Sequence, residues 1–446
     1  VSVSDDSTPA AAPTREMTDL STADAERIRR HEDLVWFETH PGLTAEDHVE
    51  TLDWSRTRAA LFTDEERAGR LGDPEEYQPL AGLYSAWLMG VTVPGPLGGL
   101  THLPMDGLTW VGVHPDLRRR GVLRAMMTDH LHRVKERGEA AVAGLHASEP
   151  AIYGRYGYGS ATLQVQATLG RGAELTAPPE VAEAARRVRL HLATLDTPAG
   201  RAAVHAAHSW TAARTLGAVA RGEDVVATWF HDFPTVRGRK EPLRVLLAQV
   251  DDQLTGYAVL RRESKWSDVG VPEGTVQVHE LAAEDPGTLL ALGRRLVDFD
   301  LTAKVTLWDR SLDDPLLWWA GGHRSTQTRV GDSLWLRLVD LPRALTERGY
   351  ATGCDVVLEV SDAVCPWNAG RWRLTAGADG TGRCEPTDAD ADVRLDVNVL
   401  GAAYAGDRPV AAQAAAGWVT ELRAGAVREL SRALRADTGP YSAIGF

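Results

Sequence analysis

Apolar and polar positions along the chain alternate between two periods. The stretch LAGLYSAWLMGVTV, residues 80–93, is apolar almost without interruption and reads as a buried strand. GLTWVGVHP, Gly107 to Pro115, is a second β-type run. It passes directly into DLRRRGVLRAMMTDHLHRVKERG, where Leu123, Met127, Leu131 and Val134 recur at helical spacing and Gly138 ends the pattern. AAVAGLHAS then predicts another buried strand, so the order is strand, Arg/Gly turn, helix, strand.

The same order returns downstream. A helix is expected from Thr197, with Thr197 as N-cap and Pro198 as first helical residue. The strands PLRVLLAQV, LTGYAVLRRE and VQVHELAAED lead into the helix GTLLALGRRLVDFD and the strand KVTLWDR. This is a degenerate internal repeat of the first unit that lacks the basic glycine turn. From about Pro342 the pattern changes to alternating strands (DVVLEVSD, RWRLTAG, DADVRLDV) followed by Ala/Leu-rich helices, an α+β arrangement. Near the N-terminus, residues 1–20 are polar and Pro/Ala-rich and predict a disordered tail, and a helical region follows from Ser21 to Trp36.

Composition narrows the function classes. A length of 446 residues suits about three domains, and 43% hydrophobic with 25% charged residues is ordinary for a globular chain. The net charge of −14 disfavours nucleic acid and anionic membranes and favours cationic ligands, besides keeping the chain soluble. Three cysteines, Cys354, Cys365 and Cys384, without CxxC spacing predict neither a disulfide framework nor a zinc site, as in a reducing cytoplasm. No apolar run approaches the ~18 residues that a membrane span needs, and no signal peptide is evident.

Candidate chemistry begins at the turn Arg118-Arg119-Arg120-Gly121-Val122-Leu123. A strand that enters a helix through a glycine turn exposes backbone N–H groups beside the positive end of the helix, and arginines add charge and forked donors. The alternative is a basic, solvated helix start. A second candidate is LHASEPAIYGRYGYGSAT, from Leu145. Acyl transfer from a thioester needs a proton for the departing thiolate, and a tyrosine can supply it. Tyr153, Tyr156 and Tyr158 all qualify, and spacing does not choose among them.

These motifs together resemble the GNAT acetyltransferase superfamily. Its pyrophosphate loop reads Q/R-x-x-G-x-G/A, and here Arg118-x-x-Gly121-x-Leu123 stands in the right context, with Leu123 in place of the final small residue. RRRG followed by two aliphatic residues, together with H-A-S-E-x-x-I-Y-G-R-Y-G-Y-G, is similar to the Eis (enhanced intracellular survival) family of aminoglycoside acetyltransferases. The likeness runs from about residue 75 to the end. It implies tandem GNAT acyltransferase folds (α/β) followed by an α+β domain like sterol carrier protein. The corresponding divisions are a tail at 1–20, a catalytic acetyl-CoA-binding domain at 21–176, a degenerate GNAT-like domain at 177–340 and the third domain at 341–446.

The resemblance also implies roles. The backbone of Val111, Gly112 and Val113 would pair with the pantetheine amides, an extended chain added as if it were a strand. The loop Arg118, Arg119, Arg120, Gly121, Val122, Leu123 and Arg124 would hold the pyrophosphate, and Ser148 and Glu149 would contact acetyl-CoA. Tyr153 is the implied general acid, and the C-terminal carboxylate of Phe446 the implied general base. The function implied is acetyl-CoA-dependent N-acetylation of a small-molecule amine acceptor, an aminoglycoside, by direct transfer in a ternary complex. It would be carried out by a cytoplasmic homohexamer without metal and without nucleic-acid or membrane partners. Protein lysine, peptide or metabolite amines are the alternative acceptors. A lipid-binding scaffold with an inactive transferase is the alternative of another class.

The segment DLVWFETHPGLTAEDHVETLDW sets Asp33, Glu38, Glu46, Asp47, Glu50 and Asp53 around Trp36, Phe37 and Trp54. Carboxylates and aromatic faces suit a polycationic acceptor, so Trp36, Glu38 and Trp54 are substrate-binding candidates; a solvated acidic helix face is the competing reading. His205 and His208 stand i, i+3 on the expected helix without a metal motif around them, and DADADVRLD alternates like a strand rather than a calcium loop.

Overall fold

Strands form where the apolar runs lie, and several are longer than the sequence pattern suggested. In the computed structural model the second β-type run extends upstream into a strand Leu100–Val113. The structure describes residues 15–37, 44, 45, 52–68, 70, 78–222, 225, 230, 232, 234–237 and 240–446. Contacts divide these into two units: the described residues up to Ala86 with Leu108–His132, and Trp87–Gly107 with Arg133–Phe446.

In the first unit, Met17–Asp19 pairs antiparallel with Arg58–Leu61, which pairs antiparallel with the start of Leu80–Pro94. Helix Ala25–Val35 follows a turn at Ser21 and buries Ala25, Ile28 and His31. Its apolar side joins Leu20, Leu52, Ala59, Leu80 and Leu83 in one core, against which Trp54 and Trp110 pack. Helix Val122–Arg137 lies close on this sheet: a Cβ at Gly82 would stand 2.4 Å from Met126 Sδ and 2.7 Å from Val122 Cγ1. The buried stripe therefore begins at Val122 and Met126, while Leu123 stays partly exposed.

The second unit holds three sheet regions. Met105–Gly107 of the long strand pairs in parallel with Val142–Gly144, the parallel pair that the helix between them requires. Val142–His146 continues antiparallel to Leu334–Leu338, which also pairs with Gly159–Ser160. A seven-stranded sheet runs Arg329–Asp332, Leu163–Gly170, Thr302–Arg310, Gly274–Ala283, Gln253–Glu263, Arg244–Val250, Arg189–Thr194. Its parallel pair, Gly274–Ala283 with Thr302–Arg310, is joined by helix Pro286–Val297, so the repeated strand–helix–strand order is a repeated architecture. Helix Pro198–Ala212 is capped as expected, with Gly200 N donating to Thr197 Oγ1 at 3.1 Å. The two sheets exchange edges: Leu163–Gly170 leaves the first region to pair inside the second sheet, and Leu334–Leu338 returns to the first.

The third sheet orders Gly382–Pro386, Gly370–Ala376, Cys354–Ser361, Val393–Asp396 and Val419–Glu421. Val393–Asp396 is a strand, as its alternation predicted. Helices Val397–Ala403, Val410–Ala415 and Ala426–Leu434 cover it. Fully buried Arg348 locks this domain, donating to the carbonyls of Ala403 and Tyr404 (3.2 and 2.6 Å) and of Leu434 (2.8 Å). It thereby satisfies the negative ends of two helices with one side chain. Among the described residues no helix is long and apolar enough to cross a membrane.

Candidate active site

The candidate anion-binding turn is built by local backbone geometry. After Val113, the short turn Pro115–Leu117 is capped by His114, whose Nδ1 accepts from Asp116 N at 3.2 Å. Arg119 at φ +64° and Gly121 at φ +81° then reverse the chain into the helix. Two left-handed residues within three positions are costly unless one is glycine, which explains Gly121. The first bond closing the helix runs from Ala125 N to Gly121 O at 3.0 Å. The N–H groups of Val122, Leu123 and Arg124 therefore have no partner within it.

Charge accumulates at the same place. Arg118, Arg119, Arg120 and Arg124 are exposed, and among the described residues none has a carboxylate partner. Elsewhere in this unit Arg27, Arg29, Arg30, Arg58 and Arg70 all sit in ion pairs. In a chain of net charge −14, four neighbouring arginines left unpaired at a helix N-terminus are a candidate site for a polyanion.

The strand ahead of the turn is braced from behind. Gly112 is buried, its carbonyl lies 3.3 Å from His31 Nε2, and a Cβ there would stand 3.0 Å from the Trp36 ring and 3.1 Å from Val35. Trp36 thus packs on the backbone of the candidate cofactor strand, and Trp54 belongs to the core packing around Ile28. Asp33 and Asp53 are engaged locally, with Arg29 and with Ser55. Glu38, Glu46, Asp47 and Glu50 lie outside the described residues, as do residues 1–14 of the expected tail.

In the second unit, Val142–His146 feeds a loop with exposed Ser148 and Glu149, then helix Pro150–Tyr153 and the turn Gly154–Tyr156. Tyr153 is buried and meets Tyr158 edge-on, ring centroids 6.1 Å apart at 71°. Burial first, then the charge of Glu149 and the neighbouring Tyr156, push the Tyr153 phenol up to about 12. It holds its proton throughout the neutral range. Fully buried Tyr158 has no hydrogen-bond partner for its hydroxyl among the described residues. The loop is fixed from below by buried Arg337, which donates to Tyr156 O at 2.8 Å and pairs with Asp362 at 2.7 Å.

Phe446 is also in this unit. Its ring meets the His146 imidazole edge-on at 5.0 Å and lies 3.0 Å from where a Cβ on Gly107 would stand. His146 is a residue that sequence reasoning passed over, although it begins the H-A-S-E string. Its Nε2 is buried with no hydrogen-bond partner among the described residues, and burial draws its pKa down to about 4, so it is neutral at pH 7. The signal was visible as a histidine ending a buried strand, but its neighbour lies 300 positions away in the sequence.

The repeated architecture differs at the helix start. At Pro286–Val297, Asp285 accepts from Gly287 N (2.8 Å) and Thr288 N (3.1 Å), so the chain's own carboxylate fills the anion position. At the start of Val122–Arg137 the preceding residue is Gly121, which has no side chain to make such a cap.

Comparison with known proteins agrees with this architecture. Models of an acetyltransferase (GNAT) domain match residues 83–161 and, separately, 217–338; a sterol carrier protein domain model matches 341–443. An uncharacterized N-acetyltransferase of Streptomyces avermitilis is 36% identical over 426 residues, spanning 95% of this chain and all of its own. N-acetyltransferase Eis of Mycobacterium tuberculosis is 33% identical over 378 residues, 80% of this chain and 83% of its own. Among solved structures, Eis1 from Mycobacterium abscessus superposes with a TM-score of 0.76 at 28% identity, covering 97% of this chain and 100% of that one. A GCN5-related N-acetyltransferase from Kribbella flavida shares the fold, with a TM-score of 0.70 at 24% identity over 97% of this chain and 100% of its own.

Proposed function

Since the chain belongs to the Eis family of N-acetyltransferases, with two GNAT domains and a sterol-carrier-like domain, we propose that it acetylates amines of polycationic acceptors such as aminoglycosides by direct transfer from acetyl-CoA in a ternary complex. The observation that carries the cofactor assignment is the set of unpaired arginines around Gly121 at the start of helix Val122–Arg137. In this reading Arg118, Arg119, Arg120 and Arg124, with the N–H groups of Val122, Leu123 and Arg124, hold the pyrophosphate. The backbone of Val111, Gly112 and Val113 takes the pantetheine amides, and Ser148 and Glu149 contact the cofactor. The acceptor nitrogen attacks the thioester carbonyl and the C–S bond breaks. Tyr153, protonated at neutral pH, gives its proton to the departing thiolate. The α-carboxylate of Phe446 takes the proton from the attacking amine, directly or through one water.

A phenol near 12 is a weaker acid than one near 10, so the proton moves only as charge develops on sulfur. The net charge of −14 favours a cationic acceptor, and Trp36, Glu38 and Trp54 are the residues proposed to meet it. We also take the enzyme to be a cytoplasmic homohexamer. Trp266, Trp318 and Trp418, 53%, 66% and 67% exposed, are apolar surface that assembly would cover, and light scattering on the purified protein tests this.

The deciding experiment follows thiol release from acetyl-CoA against an aminoglycoside panel, with mass spectrometry of the products. Added acetyl groups on several members support the proposal. Acetyl-CoA binding without turnover on any of them moves the acceptor to peptides, protein lysines or metabolite amines.

A further inference from the structure

The parallel strands of the second GNAT domain pair from Gly274↔Thr302 to Val278↔Leu307 and then part, although both run on, to Ala283 and Arg310. The C-terminal segment lies at that parting. At the end of one strand, Gly439 N donates to Asp313 Oδ2 at 2.8 Å and Ser311 Oγ donates to Gly439 O at 3.1 Å. The Arg310 guanidinium sits 4.9 Å over the Tyr441 ring. From the side of the other strand, Tyr441 and Ala443 pack with Ala282 and Tyr257, leaving an empty space of about 10 Å³. Arg310 ties the two strands as well, donating to Leu281 O and pairing with Asp314 at 2.6 Å.

Two more anchors follow. Tyr441 N donates to Leu216 O at 2.9 Å, and Val219 N donates to Ser442 Oγ at 3.2 Å while that hydroxyl donates to Ile444 O at 2.8 Å. Gly217 at φ +81° lies so close that a Cβ would stand 2.6 Å from Pro440 Cβ and 2.8 Å from Tyr441 N. In the first GNAT sheet the corresponding parallel pairing stops at Gly107↔Gly144, and the Phe446 ring rests against Gly107. One short tail therefore occupies the point of strand divergence in the second GNAT domain and ends at the same point in the first.

We propose that the second GNAT domain, whose own helix start is closed by Asp285, acts as a dock that grips residues 439–444 and so positions Phe446, with Gly217, Arg310, Tyr441 and Ser442 as positioning residues. The consequence for catalysis rests on the reading of Phe446 as the base. A terminus held at five or more points stays at one place; a released one samples a volume in which its effective concentration falls to the millimolar range.

The test uses the full chain and two readouts on the same samples: timed release of Phe446 by carboxypeptidase, which reports docking, and steady-state kinetics, which report catalysis. The variants are Gly217→Ala, whose methyl displaces Pro440, and Ser442→Ala, which keeps the local backbone unstrained if Gly217→Ala folds poorly. Tyr441→Ala is compared with Tyr441→Phe, which keeps the ring under Arg310. The expected result is Phe446 release at least tenfold faster in Gly217→Ala, Ser442→Ala and Tyr441→Ala, with kcat down about tenfold or more and the KM for acetyl-CoA unchanged within twofold. Tyr441→Phe, which keeps the ring but loses the hydroxyl's hydrogen bond with Arg310, should fall between the parent and Tyr441→Ala. Unchanged release in Ser442→Ala and Tyr441→Ala overturns the dock, whatever kcat does. Faster release with unchanged kcat leaves the dock standing and sinks the assignment of Phe446 as base.

Discussion

His31 should couple acid pH to the candidate cofactor strand, and the size of that coupling follows from its burial. The ring is 1% exposed, and its Nε2 lies 3.3 Å from the carbonyl of Gly112. Burial, with a smaller contribution from His114, draws its pKa from 6.5 to about 4. Between those values the unfolded chain binds a proton that the folded chain refuses. The stability contribution is therefore fully present above pH 6.5, declines as pH falls, and is gone below about 4. At 1.36 kcal/mol per pKa unit the whole effect is about 3 kcal/mol, of which about 2 kcal/mol is lost by pH 5. His31→Gln keeps a donor for the Gly112 carbonyl and removes the titration. Urea unfolding of parent and variant at pH 7.5 and 5.0 isolates the term, because buried histidines other than the coupled His114 contribute equally to both. The parent should lose about 2 kcal/mol more than the variant on acidification, and its acetyl-CoA affinity should fall more steeply, since Gly112 belongs to the candidate cofactor strand. Equal losses in the two proteins would refute the argument.

Other expectations concern the remaining groups. Tyr153→Phe should lower kcat by roughly a hundredfold or more while calorimetry finds acetyl-CoA binding within twofold of the parent; parental turnover would remove Tyr153 from the acid role. Arg119→Gln and Arg124→Gln should each weaken acetyl-CoA by about tenfold at low salt, roughly the worth of a charge-assisted hydrogen bond, and flatten the salt dependence of binding; an unchanged affinity would mean that the turn is only a solvated helix start. Arg348→Met leaves the carbonyls of Ala403, Tyr404 and Leu434 without their donor. It should lower stability by about 3 kcal/mol, visible as a lower thermal midpoint with the KM for acetyl-CoA unchanged.

What the sequence disclosed were the features encoded locally. The helix from Val122 announced itself by periodicity, its end by Gly138, and the turn by an arginine run around one glycine. The repeat of strand, helix and strand could be read for the same reason, since each period lies within a few dozen residues. Partners distant in sequence could not be read that way. Leu163–Gly170, which sequence reasoning did not single out, joins a sheet whose strands Thr302–Arg310 and Arg329–Asp332 lie well over a hundred residues on. His146 meets Phe446 across the length of the second and third domains. The acidic wall illustrates the opposite limit: Asp33 and Asp53 look alike as carboxylates in a row, yet each is already engaged by a close neighbour on its own turn. Composition counts charges; it does not reveal which ones are spoken for.

The exchange of edges between the two GNAT sheets has a consequence for where the chain can be cut. Leu334–Leu338 completes the first sheet from beyond the second, and Leu163–Gly170 is lent in the other direction. Neither domain can be excised at a single cut without tearing a strand out of its neighbour. A deletion that removed the second GNAT domain together with Leu334–Leu338 would leave the first with an open, aggregation-prone edge.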